Sequence, residues 1–489
     1  MSAPSSQAQP TPLPGPGASA PVSAEEIAAS CRLPLLVMFV SAAAWLVIGS
    51  AFGLIASIKF HQPAFLADCS WLTYGRVRPA YYNCVVYGFC VQAGLGVALW
   101  LIAVLGRTEL AGRWLITVGA KFWNLGVTVG ILGILAGDST GYETLEMPVY
   151  AALLLFLGYS IIGVYGLLTL HRRRYFPLFV SQWFLVAALF WFPWIYSTAC
   201  LLISVFPVRG MTQAAIAWWY AANLEKVWLG AVGLAAAFYL VPKLKQRELR
   251  SHYLALFTFW GLILFAGWTG IPRSAPLPAW MPALSGSAEI LMLLPLLTVG
   301  LNLYGTLGCV WTEKESPEPL RFVCVGIAAF LAAGALSVLG SIPAVGRVTE
   351  LTWYSVARQH LNVYGFFVMV MFGAIYYIVP RLTGIEFASP KLIRAHLALA
   401  VAGVLLIVVP LGIGGLLQGL RLARPEVAFY DIMKGTMMFL RASTVGDLCL
   451  AAGHLLLLVN LAAMVRSFSQ ARVMATYSAL TRETAGAGA

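Results

Sequence analysis

Twelve long apolar runs divide this chain, near residues 33–57, 84–105, 115–136, 149–170, 178–205, 215–241, 252–271, 287–311, 322–342, 359–379, 393–419 and 443–465. Each is close to the roughly 20 apolar residues that a bilayer-spanning helix needs. Lipid supplies no water to backbone N–H and C=O groups, so the runs must be helices. The rest of the composition agrees. Of 489 residues, 60% are apolar and 10% charged, against roughly 25% charged in a soluble domain. A soluble enzyme and a nucleic-acid binder are therefore excluded, and the expected partner surface is the lipid bilayer. The fold class predicted is all-α, a bundle of twelve transmembrane helices spanning residues 31–466.

The formal charge of +12 reads as topology. One set of connections holds Arg107, Arg113, the run Arg172-Arg173-Arg174, Lys243, Lys245, Arg247, Arg250, Lys314, Arg321, Arg381, Lys391 and Arg394. The opposite set is poorer in basic residues. The rule that basic loops stay in the cytoplasm then places both termini there. Residues 1–30, rich in Pro, Ala, Ser and Gly with no Lys or Arg, read as a flexible tail rather than a secretory signal. Ser23 and Glu26 have the spacing of a helix capping box. Residues 467–489 read as a cytoplasmic tail. Eight Cys occur without a CxxC spacing, so no zinc, disulfide or c-type haem signature is present.

Ionisable groups inside a membrane are costly, which makes them functional suspects. Glu225 and Lys226 interrupt the sixth run, and Arg358 lies at the start of the tenth, two residues before His360. Two residues advance a helix by about 200°, so Arg358 and His360 should face opposite ways. Only His360 and His454 fall well inside runs; His61, His171, His252 and His396 read as interfacial. The stretch from Asp138 to Glu146 reads as a solvated acidic loop.

Several stretches together resemble the catalytic subunit of cbb-type (C-family) haem–copper oxidases. Thr73-Tyr74-Gly75-Arg76-Val77-Arg78-Pro79-Ala80-Tyr81 is similar to that family's "YGRLRPLHT". Gly141-Tyr142-Glu143 with Leu145-Glu146-Met147-Pro148 is similar to "EYAELEWP". Trp219-Tyr220-Ala221-Ala222-Asn223 is similar to "WYGHN", Tyr376-Tyr377-Ile378-Val379-Pro380-Arg381-Leu382 to "YYLIPRL", and Leu416-Leu417-Gln418-Gly419-Leu420 to "VMQGL". The likeness covers roughly residues 70–465. It implies a twelve-helix subunit of a respiratory complex in a bacterial inner membrane, with other subunits as partners, cytochrome c-type subunits among them.

The resemblance also implies six histidines on two haems and a copper, and here the chain departs from it. Tyr81 stands at the first low-spin haem ligand. Ala222, Thr269 and Gly270 stand at the three copper ligands. Arg358 stands at the high-spin haem ligand, and only His360, the second low-spin ligand, is kept. Alanine and glycine have no donor side chain, and arginine has no lone pair for iron. Copper is not expected. The favoured expectation is a non-oxidase structural, assembly or regulatory subunit, with no catalytic residue assigned. Two alternatives stay open: a redox subunit with one low-spin haem on Tyr81 and His360, passing electrons toward oxygen or nitric oxide, and a transporter or channel reusing the cofactor cavity. Arg358, entering the former high-spin site, is expected to pair with Glu225.

Overall fold

The computed structural model describes residues 22–307 and 316–486 of the chain, with side chains described to residue 478. The tail before residue 22, Cys309, Lys314 and residues 487–489 lie outside them. Every described element is helical. We number the long helices α1 (Ala24–His61), α2 (Tyr74–Gly106), α3 (Arg113–Ala136), α4 (Val149–His171), α5 (Val180–Val205) and α6 (Met211–Lys245). They continue as α7 (His252–Ala266), α8 (Trp280–Leu307), α9 (Glu318–Gly340), α10 (Trp353–Thr383), α11 (Pro390–Leu422) and α12 (Phe429–Gly486).

Eleven of these are long and apolar enough to cross a membrane; α7, at 15 residues, is shorter. The seventh apolar run was expected to continue to residue 271. Its helix instead stops at Ala266, because Trp268 and Thr269 take turn hydrogen bonds back to Phe265 and Ala266 and Gly270 adopts φ +105°, a conformation glycine reaches without a Cβ penalty.

Local signals place the helix ends. The Ser23–Glu26 box is formed: Glu26 N–H donates to Ser23 Oγ at 3.2 Å and Ser23 N–H to the Glu26 carboxylate at 2.8 Å. Helix α1 therefore begins at Ala24, and residues 24–30, expected as tail, are helical. At the other end α12 continues as an exposed helix past residue 466, where Phe468 lies under the guanidinium groups of Arg32 and Arg472, 5.5 and 5.9 Å from its ring centre.

Helices α10 and α2 are the most enclosed, followed by α6. Helices α2, α6 and α10 each carry a π-helical stretch, Cys84–Val91, Asn223–Trp228 and Leu361–Val368. Such stretches rotate the side chains that follow relative to an α-helix, and they recur at functional positions. The interior between α2, α3, α4, α5 and α6 is filled by rings. Tyr159 stacks on Phe192 at 4.3 Å, Trp228 Nε1–H donates to Tyr159 Oη at 3.0 Å, and Tyr87 and Tyr220 share a 2.7 Å hydroxyl hydrogen bond. Buried aromatic hydroxyl and indole groups need such partners.

Candidate functional site: a charged cavity beside a tyrosine–histidine contact

The start of α2, the π-helical stretch of α6 and the first two turns of α10 converge. Tyr81, from α2, meets His360, from α10, with Oη to Nε2 at 3.2 Å. His360 Nδ1 lies 2.9 Å from the Val356 carbonyl. A carbonyl only accepts, so Nδ1 carries the proton and Nε2 accepts from the Tyr81 hydroxyl. Gly53 of α1 makes room for the Tyr81 ring, since a Cβ there would fall 2.9 Å from it. The cavity around this contact measures about 60 Å³, space for about two waters.

One residue along, the bonding changes character. Glu225 Oε1 accepts from Tyr82 Oη at 2.5 Å and from Gln359 Nε2 at 2.8 Å, and Gln359 also donates to Tyr82 Oη at 2.9 Å. Arg358 does not reach Glu225. Its guanidinium donates to Ser337 Oγ on α9 at 2.7 Å, so the expected Arg358–Glu225 ion pair is not formed. Two neutral donors occupy the carboxylate first, and Arg358 points across the cavity instead. Lys226 pairs with Glu289 of α8. The helical geometry expected for residues 358 and 360 holds: Arg358 lines a cavity of about 660 Å³, His360 the small one, and Gln359 lines both.

The large cavity carries four acidic groups, Glu143, Glu225, Glu289 and Glu350, and four basic ones, Arg78, Lys226, Arg273 and Arg358. Arg78 and Glu143 pair at 3.4 Å near the surface. Glu350 accepts backbone N–H groups of Arg273 and Ser274 at 3.0 and 3.2 Å. Small residues form part of its lining: Gly334, Ser337 and Gly340 on α9, with Gly230, Gly270 and Gly286.

The positions of Ala222, Thr269 and Gly270 are brought together tightly. A Cβ on Gly270 would lie 2.4 Å from Ala222 Cβ and 2.9 Å from the Trp218 carbonyl. The Thr269 hydroxyl is spent on Ala266 O at 2.8 Å. Asn223 draws the segment in: its side chain donates to Gly267 O at 3.1 Å and accepts from Trp191 Nε1 at 2.9 Å.

Two readings of single residues change. Glu146 is not part of a solvated loop: it is 5% exposed and accepts from Asn83 Nδ2 at 2.9 Å. Burial lifts its pKa to about 7, with the Asn83 hydrogen bond opposing the rise. His396 is not interfacial. It is fully buried, 2.9 Å from Tyr376 Oη, with its ring 4.4 Å from Phe372, because Phe322, Phe372 and Tyr376 from α9 and α10 pack over this end of α11. His454 is buried as expected, with Nδ1 2.7 Å from Ser50 Oγ. Sequence reasoning missed Glu289 and Asp447, each an acid within an apolar helix and thus detectable by the same rule that singled out Glu225. It had no means of finding Tyr82, Gln359 or Ser337, whose types are ordinary and whose roles come from their neighbours.

Comparison with known proteins places this arrangement. The profile of the family described as Cytochrome C and Quinol oxidase polypeptide I matches residues 34–449, and the chain belongs to that family. A cytochrome c oxidase subunit 1 homolog of Azorhizobium caulinodans is 25% identical over 447 residues, covering 87% of this chain and 81% of the relative. The cbb3-type cytochrome c oxidase subunit CcoN1 of Stutzerimonas stutzeri is 26% identical over 388 residues, 77% and 81% of the two chains. Among solved structures, a heme-copper terminal oxidase dimer determined by cryo-EM shares the fold, with a TM-score of 0.69 at 15% identity over 89% of this chain and 84% of that one.

Proposed function

We propose that this chain is a non-oxidase member of its family, a structural, assembly or regulatory subunit of a respiratory membrane complex. The observation that carries this reading is the closure of the copper positions: Gly270 packs on Ala222 so closely that no side chain fits between them, and Thr269 turns its only donor atom inward. A copper ion needs nitrogen or sulfur donors converging on one point, and these residues do not fit it. Arg358, at the high-spin position, offers no lone pair to iron.

The contact between Tyr81 and His360 counts against the one-haem alternative. An iron would need the imidazole lone pair of His360, and the Tyr81 hydroxyl already occupies it at 3.2 Å. The residues as placed do not fit an iron between them. As parts of the same reading, the chain spans a bacterial inner membrane twelve times with both termini cytoplasmic, α7 being the twelfth span, and its partners are other subunits of the complex, cytochrome c-type subunits included.

The test is a pyridine haemochrome assay with copper analysis on the purified chain. No haem and no copper is the expected result. Two haems and one copper per chain would overturn the proposal, and one haem would favour the redox alternative.

A further inference from the structure

Glu225 and Arg358 line one cavity within the helix bundle, carry opposite charge, and do not touch. Each is held by neutral groups alone: Glu225 by Tyr82 and Gln359, Arg358 by Ser337. On the same cavity, Lys226 and Glu289 do pair. Two charges kept apart in a region of low dielectric are costly unless something lies between them. Water serves this purpose weakly. A ligand carrying both signs serves it fully, because one end meets each charge and the site stays neutral. A simple anion would satisfy Arg358 and confront Glu225; a simple cation would do the reverse.

The space agrees. About 660 Å³ lies within the roughly 300–1,000 Å³ of small-molecule sites. Leu262, Met292, Leu296 and Phe330 supply an apolar part of the lining. The α9 part of the lining is Gly334, Ser337 and Gly340, residues spaced three apart and so on neighbouring parts of one helix face. The guanidinium has further N–H groups beyond the one given to Ser337, in the planar fork suited to a carboxylate or phosphate.

We propose that this cavity binds a zwitterion: an ammonium joined to a carboxylate or phosphate within one small molecule or headgroup, with Arg358 on the anion and Glu225 on the ammonium. Two sources share this chemistry, a free amino acid with an apolar side chain and a phosphatidylethanolamine headgroup. The inference rests on the reading that no haem–copper centre forms at these positions.

The experiment uses the full chain in nanodiscs of phosphatidylglycerol alone, with leucine as the probe and its two halves as controls: 4-methylpentanoate, which lacks the amine, and isopentylamine, which lacks the carboxylate. Binding is read by scintillation proximity with labelled leucine and by competition with the halves. In parallel, native mass spectrometry of chain released from mixed nanodiscs scores retained phosphatidylethanolamine against phosphatidylglycerol. A free-solute site gives leucine at least tenfold tighter than either half. A lipid site gives selective retention of phosphatidylethanolamine. In either arm Glu225→Gln and Arg358→Gln each remove the preference, while Glu225→Asp and Arg358→Lys, which keep the charges, retain it and show that the cavity still folds. The proposal fails if both arms are negative, if the halves bind as well as leucine, or if the two neutralising variants leave the preference intact. The haemochrome assay on the same sample separates the causes: failure in haem-free chain sinks the zwitterion site alone, whereas bound haem sinks the non-oxidase reading and this inference with it.

Discussion

Replacing Lys226 with methionine leaves the Glu289 carboxylate without its cation, and replacing Glu289 with leucine does the same to the Lys226 ammonium. The two side chains are 18% and 11% exposed. Breaking such a buried pair from one side costs about 3–5 kcal/mol, most of it the stranded charge rather than the lost attraction. Both groups border the large cavity, where water partly relieves a stranded charge, so the lower end, about 3 kcal/mol, is expected for each single change. Removing both charges together removes the cause of the loss. The double variant K226M/E289L fills the space with apolar side chains of similar volume and should lie within about 1 kcal/mol of the parent. Reversible denaturation in mixed micelles of the four proteins measures this directly. The reasoning is refuted if the double variant is less stable than either single one, which would mean that the pair's attraction, not the desolvation of its members, dominates.

Other consequences are equally open to measurement. Gly419→Ala should abolish folded protein, read as loss of the monodisperse peak in detergent size-exclusion, because a Cβ there meets the Val348 carbonyl at 1.7 Å. Gly384→Ala, at φ +71° with open space around it, should cost only about 1 kcal/mol. Tyr81→Phe leaves the partly buried His360 Nε2 without its donor and should lower stability by about 1 kcal/mol, whereas the same change at the exposed Tyr253 should be silent. The Glu146 carboxyl titrates near 7 in the folded chain against a usual 4.5, so the folded state holds its proton more tightly. Its contribution is fully present below about pH 4.5 and is lost as pH rises through about 7. Thermal midpoints between pH 4.5 and 8 should show that fall in the parent, and Glu146→Gln should flatten it; an unchanged slope would refute the assignment.

The sequence by itself determined the class of molecule. Apolar runs of bilayer length leave the backbone no option but helix, and the Ser23–Glu26 box marks where the first helix starts, since capping acts within one turn. Isolated charges inside those runs, Glu225, Lys226 and Arg358, announced an unusual interior because burial makes them expensive wherever they stand. The 200° rotation between Arg358 and His360 likewise follows from local helix geometry alone. Which charge met which was decided only by the tertiary structure. Lys226 found Glu289 on a helix 63 residues further along the chain, Arg358 found Ser337, and Glu225 was taken by Tyr82 and Gln359, because the partners stand on different helices and only the packing of those helices decides which faces meet. His396 and Glu146 were misjudged for a related reason. Both sit near the ends of apolar runs, and whether an end is wet or buried depends on what packs over it from elsewhere in the chain.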